Sequence, residues 1–219
     1  MCPLYGSGKL FSSRREFLKS AGLVACGAAV TTISAGSCRR AETTYSESSP
    51  TQSVSATGYD YLPPVDMPPL VAVPGSTFRV AADRRYSLEH IWVLPGSQNT
   101  VVLGISEKLV LLLSGPYGID LPPVGSTFNK GDGFGYIEGF KVFVDLVCPV
   151  SGSVVAVNQD LIAQQVPFDQ QSESGEPIPA LVNDTYRSGW MFVLLLSNPD
   201  ELEELMTWEA YVALCSKNV

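Results

Sequence analysis

From residue 86 onward, apolar residues come in short runs cut by glycine and proline, a rhythm of strands rather than long helices. Residues 90–95 and 100–104 are apolar runs on either side of a Pro-Gly-Ser-Gln-Asn turn, which predicts a hairpin. Ser106 is suited to cap a helix over residues 107–113, and the glycines at 115 and 118 end it. Short strands are expected near Ile119, Thr127 and residues 134–137, and another over residues 153–157. Residues 190–196 are almost continuously apolar, so they belong in the middle of a sheet. Asn198-Pro199-Asp200-Glu201 opens a helix, with Asn198 or Ser197 as cap, and residues 207–215 form a last helical segment. Trp92 and Trp190 are candidate core residues. So many short strands predict an all-β sandwich or barrel with small helices.

The most informative stretch is residues 134–152. Two strand-like runs flank a turn read as Glu138-Gly139-Phe140-Lys141, with Lys141 at the tip and Gly139 expected to supply a positive φ. A primary amine at such a tip is open to acylation, and once acylated it becomes a swinging arm.

The beginning of the chain has a different composition. Ser13-Arg14-Arg15-Glu16-Phe17-Leu18-Lys19 before an apolar run over 21–33 is a twin-arginine export signature; the alternative is a chance arginine pair ahead of a membrane helix. Ser34-Ala35-Gly36-Ser37-Cys38 resembles a lipobox, which makes Cys38 a candidate lipid anchor; cleavage without lipid, or an uncleaved anchor, are the alternatives. Residues 39–74 are rich in Ser, Thr and Pro and poor in large aliphatics, as a tether is. The expected organisation is a signal over 1–38, a linker over 39–85 and a domain over 86–219. A longer surface connection is expected within 159–180. Export places the protein in the periplasm, or membrane-anchored and facing it.

Charge narrows the partners. The 219 residues hold 14 Lys and Arg against 22 Asp and Glu, a net charge of −8. Removing residues 1–37 leaves 10 basic and 21 acidic residues, a net charge of −11. This balance argues against a nucleic-acid partner and suits basic docking surfaces, or simply solubility. His90 is the sole histidine, so neither a histidine metal cluster nor a catalytic triad is indicated; it reads as a sheet-edge side chain. Cys148 and Cys215 read as buried thiols, with a disulfide as the alternative in an exported protein.

The hairpin resembles the lipoyl-bearing hairpin of glycine cleavage system H proteins. In that family a glutamate stands three residues before the modified lysine and an aspartate four after it, followed by a Pro-Val-Ser-Gly corner. Glu138, Lys141, Asp145 and Pro149-Val150-Ser151-Gly152 occupy those places. His90, Trp92, Gly104-Ile105, Leu121-Pro122-Pro123-Val124-Gly125, Val157-Asn158, Leu181-Val182-Asn183, Tyr186 and Gly189-Trp190 follow the family's order. The resemblance spans roughly residues 86–215. It implies a barrel-sandwich hybrid and a carrier rather than an enzyme. Lipoate would be held covalently on Lys141, with Glu138 and Asp145 as recognition residues for the lipoate-attaching enzyme. The arm would serve partner enzymes of a multi-component system. Biotin carriers use a similar hairpin, but their lysine sits between methionines, not between Phe140 and Val142. Three departures stand out: Gly139 replaces the usual serine, bulky Val142, Phe143 and Val144 replace small residues, and the connection over 164–179 is longer. They leave open a sandwich domain without cofactor, acting as a binding or scaffold module. A periplasmic adaptor is a weaker alternative, since the long helical hairpin it needs is missing.

Overall fold

The computed structural model describes residues 66–140, 142–166 and 176–217. The export signature and Cys38 lie outside them. Eleven described strands are β1 (Leu70–Ala72), β2 (Arg79–Ala81), β3 (Arg85–Tyr86), β4 (Ile91–Pro95), β5 (Thr100–Ile105), β6 (Pro116–Asp120), β7 (Thr127–Phe128), β8 (Gly133–Gly139), β9 (Phe143–Val147), β10 (Gly152–Val157) and β11 (Trp190–Leu196). The described α-helices are α1 (Glu107–Leu113), α2 (Gln159–Ala163), α3 (Pro179–Asn183) and α4 (Trp208–Ser216).

Six strands form one antiparallel sheet in the order β3-β4-β5-β11-β10-β7, and β6-β8-β9 form a second. β11 is interior, paired with β5 and β10, as its unbroken apolar run requires. Between the two sheets lies the larger core. Ile91, Val93, Leu103, Met191, Phe192 and Leu194 of the six-stranded sheet meet Ile119, Phe134, Ile137 and Leu146 of the three-stranded one. Each such large side chain contributes about 1.5–3 kcal/mol through burial. The expected all-β sandwich with small helices is therefore the architecture observed.

Every residue of β5 is buried because the six-stranded sheet is covered on both faces. A second cluster on its far side joins Val80, Ala81, Tyr86, Trp92, Val102 and Tyr211. β1 and β2, which pair with each other, and α4 provide that cover. These strands fall inside the stretch assigned to the linker. Ordered structure reaches back at least to Leu70, well before Tyr86, because Val73, Phe78, Val80 and Ala81 find an apolar face to bury against. Trp92 is fully buried; Trp190 is half-buried at the margin of this second cluster.

α1 begins as expected. The Ser106 side chain accepts from the Leu109 amide at 3.4 Å, and Leu109 and Leu113 share its inward face. It ends at Ser114, which is left-handed (φ 56°). The Pro199–Glu204 segment differs from expectation: it is a 3₁₀ helix, and Asn198 makes no side-chain cap to it. The 159–180 connection also differs. Both of its ends are helical and stitched to the body: Ile178 N donates to Pro116 O (2.7 Å), and Gln165 accepts from Ile119 N (3.0 Å). Leu161, Ile178 and Leu181 are buried there.

Candidate functional site

The hairpin of β8 and β9 holds the candidate site. Glu138 pairs with Phe143, and the Gly139 amide donates to the Val142 carbonyl at 2.8 Å, closing the corner. The turn thus runs from Gly139 to Val142, one residue later than the sequence suggested. Lys141 falls within it by sequence and lies outside the described residues. Its neighbours Phe140 and Val142 are 50% and 37% exposed, so this corner of the sheet faces solvent.

The corner rests on the C-terminal end of α1. Phe140 N donates to Leu113 O at 3.2 Å. Gly139 does not take a positive φ. Its lack of a side chain matters for another reason: a Cβ there would stand 2.3 Å from the Leu113 carbonyl oxygen. Close approach of hairpin and helix, not turn conformation, is what demands glycine.

Glu138 is half-buried and accepts from the Tyr117 hydroxyl at 2.7 Å. Tyr117 is otherwise buried, so it holds this carboxylate in place on the sheet surface. Asp145 is exposed and lies opposite Tyr136 in the β8–β9 register. Tyr136 in turn stacks on Phe143, with ring centroids 4.5 Å apart. Burial, reinforced by Asp120 and Glu138, pushes the Tyr136 phenol upward. Tyr117, Tyr136 and Asp120 were not singled out in the sequence. Period-two alternation through Tyr136 and Glu138 was the available signal.

The corner after β9 is firmly anchored. The Ser151 hydroxyl donates to the Glu201 carboxylate at 2.9 Å and accepts from Lys130 N at the same distance. Lys130, the other lysine of this region, is committed to Glu204 at 2.6 Å. Cys148 and Cys215 are both buried, in separate core clusters, so they do not pair with each other and the disulfide alternative fails. Burial pushes the Cys148 thiol up to about 11.

His90 sits away from the hairpin. Its Nδ1 lies 2.8 Å from the Tyr211 hydroxyl, which lies 2.8 Å from the Ser106 hydroxyl. Desolvation, then the nearby Lys108, lowers the His90 pKa. Among the described residues, no group of three or more His, Cys, Asp or Glu is arranged to hold a metal. A solvent-facing corner on a stiff antiparallel sheet suits a covalently held arm better than a pocket-bound ligand.

Comparison with known proteins agrees with this geometry. The family model for the glycine cleavage H-protein matches residues 84–218. The chain belongs to the glycine cleavage H-protein family. It is 36% identical over 138 residues to the glycine cleavage system H protein of Chromohalobacter salexigens, covering 63% of this chain and 95% of that one. It is 39% identical over 136 residues to that of Salmonella arizonae, covering 62% and 95%. Among solved structures, a glycine cleavage system H protein from Mycobacterium marinum superposes with a TM-score of 0.51 at 27% identity, over 62% of this chain and 98% of that one. Membership bears out the barrel-sandwich fold. At the level of the family, it also bears out the expected carrier, rather than enzymatic, role of an H protein.

Proposed function

We propose that this H-protein family member carries lipoate on Lys141 and shuttles a group or electrons between partner enzymes outside the cytoplasm. The observation that carries this reading is the solvent-facing β8–β9 corner, bracketed by exposed Phe140 and Val142 and braced on α1. A primary amine at that place is the nucleophile that accepts an acyl group as an amide, so the residues fit the group. When bound, lipoate supplies a dithiolane that accepts a group or electrons. The chain's own contribution is rigidity and display. The closed turn and the close Gly139–Leu113 approach hold the corner against the body. Glu138, fixed by Tyr117, and Asp145 offer carboxylates for the attaching enzyme to recognise. The twin-arginine signature supports export, and the lipobox-like residues before Cys38 support a lipid anchor there. Lipoate is attached in the cytoplasm, and the twin-arginine route moves folded proteins, so loading precedes export. Glycine decarboxylation is cytoplasmic in bacteria, which favours a redox or sulfur-linked role for an exported relative.

Peptide mass analysis of protein purified from lipoate-making cells tests the attachment. The peptide containing Lys141 is expected to carry a lipoyl increment that Lys141→Arg abolishes. An unmodified peptide from such cells rejects the carrier reading. A second reading, a cofactor-free binding or scaffold module, is favoured by the exposed Phe143 beside the turn. It gains if Lys141 is unmodified and Phe143→Ala releases the chain from a membrane complex.

A further inference from the structure

The outer face of the three-stranded sheet extends the pair of carboxylates offered to the attaching enzyme into a larger arrangement of acids and aromatic rings. Across the three strands, Asp120 of β6, Tyr136 of β8 and Asp145 of β9 stand in one cross-strand row. Ile137 and Leu146, at alternate positions, point into the core, so the row faces outward. Phe143 stacks on Tyr136 at an interplanar angle of 25° and is 50% exposed. Glu138 completes the face, its carboxylate steadied by Tyr117. The result is a stacked aromatic pair flanked by three carboxylates. Among the described residues, neither Asp120 nor Asp145 forms an ion pair.

Phe143 is half-exposed and Tyr136 beside it is half-buried, so the stacked pair leaves an aromatic surface that a partner can cover. The carboxylates decide what does. A second copy in a symmetric contact would bring this acidic face against another like it. An anionic membrane is repelled. A lysine satisfies the carboxylates as a point charge but gains less from the rings. A guanidinium stacks on an aromatic face and pairs with a carboxylate through its planar fork at the same time.

We propose that this face is a docking surface for a protein partner that presents arginine side chains, one stacking on Tyr136 and Phe143 between Asp120 and Asp145. The partner thereby approaches from the sheet side of the corner. Docking does not depend on the state of Lys141, so its failure is distinguishable from failure of the carrier reading.

The test titrates the full isotope-labelled chain with a capped tetra-arginine peptide and with a tetra-lysine peptide of the same length and charge, followed by NMR. The arginine peptide is expected to bind roughly three- to tenfold tighter, with shifts centred on Tyr136 and Phe143. Phe143→Ala is expected to erase that preference, and Tyr136→Leu to do the same. Asp145→Asn is expected to weaken both peptides and reduce the salt dependence. Equal affinity for the two peptides overturns the proposal. So do shifts confined to other surfaces, or a preference that survives both aromatic substitutions. Concentration-dependent dimerisation mapping to Tyr136 and Phe143 also overturns it, by giving the face to a second copy.

Discussion

Two residues carry consequences out of proportion to their size. Gly139 replaces the serine usual in the family, and the structure supplies the reason: a Cβ would meet the Leu113 backbone oxygen at 2.3 Å and its Cβ at 2.8 Å. Restoring the serine, Gly139→Ser, must push the corner off α1. The expected cost is about 1–3 kcal/mol, read as a lower midpoint in urea unfolding with the slope unchanged. An unaffected midpoint would mean that hairpin and helix separate freely. His90 is the second. It adopts a left-handed backbone (φ 67°), and its ring is tied to Tyr211. Desolvation comes first and Lys108 second in lowering its pKa below 6.5, while Glu89 opposes them. The unfolded chain therefore binds a proton more readily than the folded one. Stability is full above about pH 6.5 and falls as the pH drops through that value toward the lowered folded pKa. Thermal unfolding at pH 7.5 and 5.5 should show this loss. His90→Asn, which tolerates the same backbone, should flatten the part of the profile that His90 causes, leaving the carboxylate contribution.

Short strands explain both what the sequence disclosed and what it withheld. β11 was legible because seven apolar residues in a row have no place but a covered sheet centre. α1 was legible because Ser106 stands before a run of strong helix formers. The hairpin was legible as a hairpin, yet its turn was placed one residue early. The reason is that Gly139 was credited with a turn conformation when its role is clearance from Leu113. β1 and β2 were not legible at all. Three residues each, among prolines and serines, they have no periodicity of their own, and only the far face of the six-stranded sheet makes their burial worthwhile. The Pro199–Glu204 segment misled in a subtler way, since proline and acids open a 3₁₀ helix as readily as an α-helix. The missed strands yield a prediction. The Tyr86 hydroxyl donates to Ala81 O (2.8 Å) and accepts from Ala81 N (2.9 Å), while its ring stacks on Tyr211 at 4.2 Å. A chain shortened to begin at residue 86 strands that buried hydroxyl and uncovers Trp92 and Val102. It is expected to lose several kcal/mol relative to one beginning at residue 66, on the order of one buried apolar side chain for each of Val73, Phe78 and Val80. Equal urea midpoints would show that β1 and β2 are ornaments of the fold.

At the scale of the molecule, the two-sheet body, the braced corner and the acidic balance suit the proposed role, in which an arm is held out rigidly by its carrier. The described body achieves this with core residues from both sheets. Such a body can be complete before it leaves the compartment in which lipoate is attached, and the proposed twin-arginine route requires it to be. Replacing Arg14 and Arg15 by lysine separates the two events. Under the proposed order, the wild-type chain is recovered outside the cytoplasm with its Lys141 peptide lipoylated. The double variant is retained inside, equally lipoylated and equally resistant to protease, because attachment and folding need only residues that the substitution leaves untouched. Cell fractionation with peptide mass analysis reads both quantities. A retained variant with an unmodified Lys141, beside an exported wild type that carries lipoate, would place attachment after transport and reverse the order. Unchanged export of the variant would remove the twin-arginine route itself, because the arginine pair is the feature of the leader that this route reads.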